Sequence, residues 1–366
     1  MKSIVIEQAQ IISPLGNLTD TVNSLISGSD AIGHGPCFDI PVGCASFKDE
    51  KFRDFIYCFK HLLLSINLQK IDFSSTLLIY CSAKGDIRLL EEQIYFKKSH
   101  SSISPRLDIQ CRKICELIGM DPFSSVVVSN ACTSGSIGIE MAVDLLRMQR
   151  YSHIIVCGFD CLSRFTTTGF YSLGALSKDR ARPFDSKRDG LTMGEGGGIA
   201  VLSLKNPCKG EIAVMGAGSS NDANHRTGPS RTGEGLYKAI KAALSNGSIT
   251  YGSIGAVKCH GTATPYNDAM EAKALHLLFG QKIPPCVSYK GAIGHMSGAG
   301  SLVETLIAAE NLKRRKLPPT KGFFKRGVDE EIPVSSNSQS FAKPCILCLS
   351  AGFGGLNSAV IIKEYT

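Results

Sequence analysis

Tryptophan is absent from the 366 residues, and aromatic side chains make up only 7% of them. Proteins that grip single strands of nucleic acid stack bases on such rings beside basic residues, and no aromatics interleave the basic residues here. Charge of one sign is also scarce: 40 Lys and Arg face 32 Asp and Glu, for a formal net charge of +8. That excess demands no nucleic acid; its main effect is to speed encounter with an acidic protein or a phosphate-bearing carrier. No apolar run is long enough to span a bilayer. The opening Met1-Lys2-Ser3-Ile4-Val5-Ile6 reads as a first strand without the layout of a signal peptide, so a cytoplasmic protein is expected.

Cysteine is the exception to this economy, with 14 residues. In a chain without an export signal, their scatter through apolar segments reads as free thiols, not as a disulfide framework. The nearest thing to a metal pair is Cys345-x-x-Cys348. It lies in a predicted strand, where positions three apart face opposite sides, so no metal site is expected. With 43% hydrophobic residues and 37 Gly, the composition suits a folded α/β protein of two domains or one large double domain.

The chain is organised around Ser129-Asn130-Ala131-Cys132-Thr133-Ser134-Gly135. A β-branched run, Val126-Val127-Val128, reads as a strand before it. Ile137, Met141, Leu145 and Met148 recur at helical spacing after it and define an expected apolar face. A thiol at a strand-to-helix turn sits beside unpaired helix N–H groups, which lower its pKa. A small core cysteine satisfies the same stretch equally well. Elsewhere the pattern predicts a helix near Leu18–Ile26 and an apolar helix within 47–68 containing Leu62, Leu63 and Leu64. It also predicts a strand at Leu77-Leu78-Ile79-Tyr80 and an exposed loop over 97–106. The glycine cluster Gly194-Glu195-Gly196-Gly197-Gly198 precedes a strand instead of following one. That excludes a dinucleotide loop and leaves close backbone packing. Asp268 and Glu271 fit a capping box for the helix that ends before Gly280.

A clear boundary falls at Asn206-Pro207-Cys208-Lys209-Gly210, dividing the chain into 1–208 and 209–366. The second part repeats the first. Cys286-Val287-Ser288 is a short strand, a loop follows, and His295-Met296-Ser297-Gly298 opens a helix. With the Ser-Gly pairs superposed, His295 falls opposite Cys132. A nucleophilic Cys, two His at element ends (His260 and His295) and a Lys between them (Lys290) make an acyl-transfer constellation.

These residues sit in stretches that resemble the β-ketoacyl-acyl-carrier-protein synthases, elongating members of the thiolase superfamily. The matching stretches are Asn130-Ala131-Cys132, Ala181-Arg182-Pro183-Phe184-Asp185 with Arg188-Asp189-Gly190, Gly194-Glu195-Gly196, His260-Gly261-Thr262-Ala263-Thr264, Lys290 with Gly294-His295, and Gly352-Phe353-Gly354-Gly355. They occur in the family's order and cover nearly the whole chain. The resemblance implies an α/β protein with the five-layered αβαβα fold, built from two pseudo-duplicated halves. The nucleophilic Cys would lie in the first half and both catalytic His in the second.

The resemblance also implies roles. Cys132 would carry the acyl chain as a thioester, and the backbone N–H groups of Cys132 and Phe353 would form the oxyanion hole. His260 and His295 would donate hydrogen bonds to the enolate left when a malonyl unit loses carbon dioxide, with Lys290 as electrostatic support. Thr262 and Thr264 would bind the pantetheine arm, Phe353 would gate the acyl pocket, and Glu304 and Asp268 would support the site. No permanently bound cofactor is implied, because the substrates ride on the phosphopantetheine of an acyl carrier protein. A homodimer, or a heterodimer with a chain-length-factor-like subunit, is the implied assembly. Ile293, Gly300-Ser301 and Leu356 depart from the usual family residues, and the region before Cys132 is short. The implied pathway is fatty-acid or type II polyketide biosynthesis, and both features point to a compact synthase of a specialised pathway, such as an aryl-polyene or other type II polyketide system. The competing readings are a chain-length-factor-like accessory subunit and a coenzyme A-dependent thiolase. Lys48, Lys51 and Arg53 read first as a solvated face, and by resemblance as a docking patch for the carrier. His34, His61, His100, His153, His225 and His276 carry no motif.

Overall fold

The computed structural model describes residues 2–33, 37–96 and 105–366. His34, His100 and most of the expected loop at 97–106 lie outside the described residues. The main path of the central sheet takes five strands from the first part of the chain: Ser3–Ser13, Thr76–Cys81, Ser125–Val128, His153–Asp160 and Gly196–Lys205. Five more follow: Ile212–Asn221, Ile254–Lys258, Cys286–Val287, Cys345–Gly352 and Leu356–Glu364. From a shared seam outward, each set runs first, fifth, fourth, second, third. The pairing senses repeat too. First on fifth and fifth on fourth are antiparallel, whereas fourth on second and second on third are parallel. The seam itself is the short antiparallel pairing of Ile4 with Val214 and Val5 with Ala213.

Strand periodicity explains how this sheet is buried on both faces. In Thr76–Cys81, Leu77, Ile79 and Cys81 point into a central apolar cluster, while Leu78 and Tyr80 point into an outer one. In Cys345–Gly352, Ile346 and Cys348 face the centre, while Cys345, Leu347 and Leu349 face a second outer cluster. Cys345 and Cys348 therefore lie on opposite faces of the sheet. All 14 cysteines are free.

Helices fill the layers. Phe55–Leu63 and Leu107–Ile118 pack one outer face through Phe55, Phe59, Leu62 and Ile114. Glu234–Gly247 and Pro265–Phe279 pack the other through Leu236, Ile240 and Leu275. Ser134–Arg147 and Ser297–Arg314 lie between the two half-sheets. The result is the αβαβα sandwich. Every residue from Ser297 to Ala309 is buried, as a helix enclosed on all sides requires.

The central helices touch backbone to backbone. A Cβ on Gly135 would collide with the backbone nitrogen of Leu302, and Ser136 N donates to Ser301 Oγ at 2.9 Å. This contact corrects the expected apolar face of the first helix. Met141 and Met148 are 37% and 68% exposed, whereas Gly138, Ala142, Val143 and Leu146 are buried. Close approach selects small residues such as Gly135 where the helices touch, while Met141 and Met148 point outward. Gly135→Ala is expected to force the helices apart at a cost of about 1–3 kcal/mol, read as a lowered urea midpoint. An unchanged midpoint would show that the crossing is looser than this.

Two boundaries differ from the sequence expectation. Leu64 lies beyond its helix and is 82% exposed. The helix Arg164–Ser172 falls where the sequence pattern named no element. The glycine cluster behaves as expected: Gly197 comes within 2.7 Å of the Gly158 oxygen at the position a Cβ would take.

Candidate active site

Strand Ser125–Val128 delivers the chain to a tight turn in which Ala131 takes a φ of +46°. Asn130 N donates to Ser134 Oγ at 2.8 Å, and Thr133 Oγ1 donates to the Asn130 oxygen at 2.8 Å. These bonds close the turn and aim Cys132 inward. Its Sγ lies 3.1 Å from His295 Nε2. His295 is held on its backbone: its N–H donates to Thr192 O at 2.8 Å and its oxygen accepts from Gly194 N at 3.0 Å. Thus one end of the glycine cluster positions a histidine.

His260 stands beyond the end of strand Ile254–Lys258, its ring 5.4 Å from that of His295 and nearly perpendicular to it. Lys290 donates from Nζ to the His260 oxygen at 2.8 Å and to Glu304 Oε1 at 2.5 Å. Glu304 Oε2 accepts from Lys258 Nζ at 2.8 Å, and Lys258 also donates to the Leu349 oxygen at 2.6 Å. Both lysines are 1% exposed.

Burial governs the protonation states. It pushes the His295 imidazole down to about 3 and His260 well below its ordinary value, and in each case the Lys290 ammonium adds to the effect. Both rings are neutral at physiological pH. The Cys132 thiol is pushed up to about 11 by burial, against the pull of Lys290 and the Phe353 backbone N–H. The expected lowering by the helix terminus is therefore overturned, because desolvation outweighs a partial charge. Burial would raise Glu304, but its two lysine partners hold it below the usual carboxylate range.

These groups open onto a cavity of ≈ 570 Å³ whose wall includes Cys132, His260, His295, Thr262, Thr264 and Phe353. The two threonine hydroxyls are 2.9 Å apart. Phe353 occupies the turn between the last two strands, and its ring packs 5.3 Å from that of Phe170. A neutral histidine beside a thiol, a second at right angles and the Phe353 N–H at the sulfur suit acyl transfer through an oxyanion.

The β-ketoacyl synthase N-terminal domain family matches residues 124–207, and the β-ketoacyl synthase C-terminal domain family matches residues 212–324. The chain belongs to the β-ketoacyl synthase family. A 3-oxoacyl-[acyl-carrier-protein] synthase 2 of Rhizobium meliloti is 33% identical over 261 residues, covering 67% of this chain and 61% of that protein. One of the same name from Vibrio cholerae is 33% identical over 259 residues, covering 66% and 62%. The chain thus aligns with about three-fifths of the length of these relatives. Among solved structures, a β-ketoacyl synthase from Burkholderia phymatum shares the fold at a TM-score of 0.87 and 22% identity, covering all of both chains. A structure of a ketosynthase with its chain length factor from Xenorhabdus doucetiae matches at 0.86 and 25% identity, covering 99% of this chain and 98% of that one.

In this chain, two carboxylates read as a capping box do something else. Thr264 precedes the helix Pro265–Phe279 and makes no side-chain cap. Asp268 accepts from Phe184 N at 2.6 Å and Ala263 N at 3.1 Å, so it clamps two loops. Glu271 accepts from His260 N at 2.5 Å and Gly261 N at 2.8 Å. Both side chains are turned inward off the helix, towards backbone N–H groups that no other partner satisfies. Burial pushes Asp268 up to about 6 and Glu271 from 4.5 to about 7. A carboxyl whose folded value is raised contributes stability below its unfolded value and loses it as pH climbs through the folded one. Glu271→Gln is therefore expected to flatten the decline in thermal midpoint between about pH 4.5 and 7. An unaltered pH profile would assign that decline to other groups.

Sequence reasoning missed Lys258 and Phe170. Lys258 ends an apolar strand, where a charge resembles a solvated terminus. Phe170 sits on the helix Arg164–Ser172, for which the sequence pattern gave no signal. Arg53 also departs from the solvated face expected of it: its Nε lies 3.2 Å from Oε1 of the buried Glu195. Among the described residues, no cluster of His, Cys, Asp and Glu could hold a metal ion, and no helix is long and apolar enough to cross a membrane.

Proposed function

We propose that this chain elongates acyl chains by decarboxylative condensation. The observation that carries the reading is the 3.1 Å approach of His295 Nε2 to Cys132 Sγ, with His260 beside it in one cavity. Cys132 sulfur attacks the thioester carbonyl of an acyl carrier. The carbon–sulfur bond to pantetheine breaks, and the departing thiolate takes the proton that Cys132 gives up. The backbone N–H groups of Cys132 and Phe353 hold the oxyanion of this step. A malonyl carrier then enters past Thr262 and Thr264, which hydrogen-bond its pantetheine arm.

Its terminal carbon–carbon bond breaks, releasing carbon dioxide, and the electron pair becomes an enolate whose oxygen accepts from His260 and His295. Two neutral imidazoles stabilise that charge without being acidic enough to quench the carbanion; one such donor is worth about 3–4 kcal/mol of barrier. The carbanion attacks the Cys132 thioester, forms the new carbon–carbon bond and releases the sulfur. Lys290, Glu304 and Asp268 support this geometry, and Phe353 with Phe170 gates the acyl side.

The site draws Cys132 from 1–208 and both histidines from 209–366, and we propose these segments as the two working halves. The acyl carrier protein is the proposed partner, no added cofactor is needed, and the cytoplasm is the proposed location. A dimer is the proposed assembly, either of two copies or with a chain-length-factor-like subunit. The proposed pathway is fatty-acid or type II polyketide biosynthesis, with an aryl polyene as the narrower case; one solved structure of this fold is described as a type II polyketide carrier protein in complex with its ketosynthase, another as a ketosynthase in complex with its chain length factor.

The test is intact-protein mass spectrometry after mixing with acyl- and malonyl-loaded carriers. Acylation followed by a β-ketoacyl carrier two carbons longer supports condensation. No acylation from any carrier overturns it in favour of the accessory-subunit reading. For docking, Lys48 and Lys51 are exposed. Reversing both charges is expected to raise KM for the carrier several-fold at low salt and little at high salt, with kcat unchanged. Equal KM values at both salts would remove these lysines from the patch.

A further inference from the structure

Glu304 is one carboxylate shared between two buried ammonium groups, and the mechanism above uses only Lys290. Lys258 is the last residue of strand Ile254–Lys258. By strand alternation it faces the same side as Ala256, into the central layer. From there its Nζ reaches two elements at once: Oε2 of Glu304, on the helix that follows His295, and the Leu349 oxygen, on the strand that leads to Phe353. Its own strand leads to His260. Lys258 thus joins the three segments that deliver His295, His260 and the oxyanion-hole turn.

It also changes the charge count. Glu304 and Lys290 alone would be a neutral pair. With Lys258 the trio carries two cations and one anion in a dry site, a net positive charge beside the reacting groups that only the more distant carboxyls Glu271 and Asp160 oppose. We propose that Lys258 is a positioning residue for the condensation, which occupies half of Glu304 so that the Lys290 ammonium keeps its field on Cys132 and the two histidines. The inference rests on the condensing role of this site.

The groups facing Lys258 are Glu304 from the central helix, Cys348 from its neighbouring strand and Glu271 from the outer helix, with Lys290 across the shared carboxylate. Lys258 acts in the same direction as Lys290 on both imidazoles, disfavouring their charged forms.

The experiment measures alkylation of the Cys132 peptide by iodoacetamide against pH, which needs no carrier protein. Lys258→Met is expected to raise the alkylation midpoint by about one pH unit, a tenfold loss of thiolate at any pH below it. The double variant K258M/E304Q removes one charge of each sign and is expected to bring the midpoint back towards the parent. Lys258→Gln, whose shorter amide can still donate to Glu304, is measured alongside so that a collapsed fold in one variant leaves another to read. An unmoved midpoint in a folded Lys258 variant overturns the proposal, and so does lost condensation with the midpoint unmoved, which makes Lys258 scaffold only. A shifted midpoint in a protein that condenses no carrier would instead uphold the electrostatics and sink the condensing role.

Discussion

Cys132→Ala is expected to end covalent acylation and to lower elongation by about 10⁴–10⁶-fold, the usual scale for removing a nucleophile. The geometry leaves no substitute, because the thiol alone meets His295 Nε2, at 3.1 Å. The other cysteines lie in the central and outer apolar clusters, in the small separate cluster of Cys37 and Cys44, or, for Cys208, exposed. The substitution leaves His260, His295, Lys290 and the cavity in place, so carbon dioxide release from a malonyl carrier is expected to persist. The two activities are separated by incubating the variant with acyl carrier, for an intact mass, and with malonyl carrier, for gas release. An acyl adduct on the variant would place the nucleophile elsewhere.

Leucine at Glu304 is the largest expected loss of stability. It leaves Lys258 and Lys290 facing one another, 1% exposed, without their common counter-ion. Breaking a buried pair in this way costs about 3–5 kcal/mol. Against a typical total of about 5–15 kcal/mol, that is a large share. Urea denaturation checks it through the midpoint, provided the slope is unchanged. Glutamine at the same position keeps both acceptor directions and is expected to lose less. If leucine and glutamine were equally mild, the lysines would have to be neutral in the folded protein.

Much of this site was legible in the sequence because its residues sit in short motifs whose order survives folding. Cys132, His260, His295, Lys290 and Glu304 were all named from the chain, and the structure brings them together. What escaped was information carried by the third dimension. The buried face of Ser134–Arg147 carries Gly135, pressed against Leu302 of the other central helix, and Gly138, pressed against Ile79, Cys81 and Val156 of the strands. A periodicity search that prizes long apolar side chains picks Met141 and Met148 instead. Asp268 and Glu271 occupy helix positions that satisfy a capping pattern, yet loops folded over the helix end recruit them. The direction of the Cys132 shift failed for a similar reason. A helix terminus is visible in sequence, whereas the depth of burial that outweighs it is not.

The matching strand order of the two halves bears on how the protein is made. Each half-sheet has its own outer helices, but the layer between them is assembled from one long helix of each half. During synthesis the first half emerges with the inner side of its sheet only partly roofed, and it waits for Ser297–Arg314 to finish the roof. The nucleophile waits as well, since His295 lies 163 residues downstream of it. Chemical competence therefore arrives only once the second half has been made, and a polypeptide broken off before His295 holds a thiol without that partner.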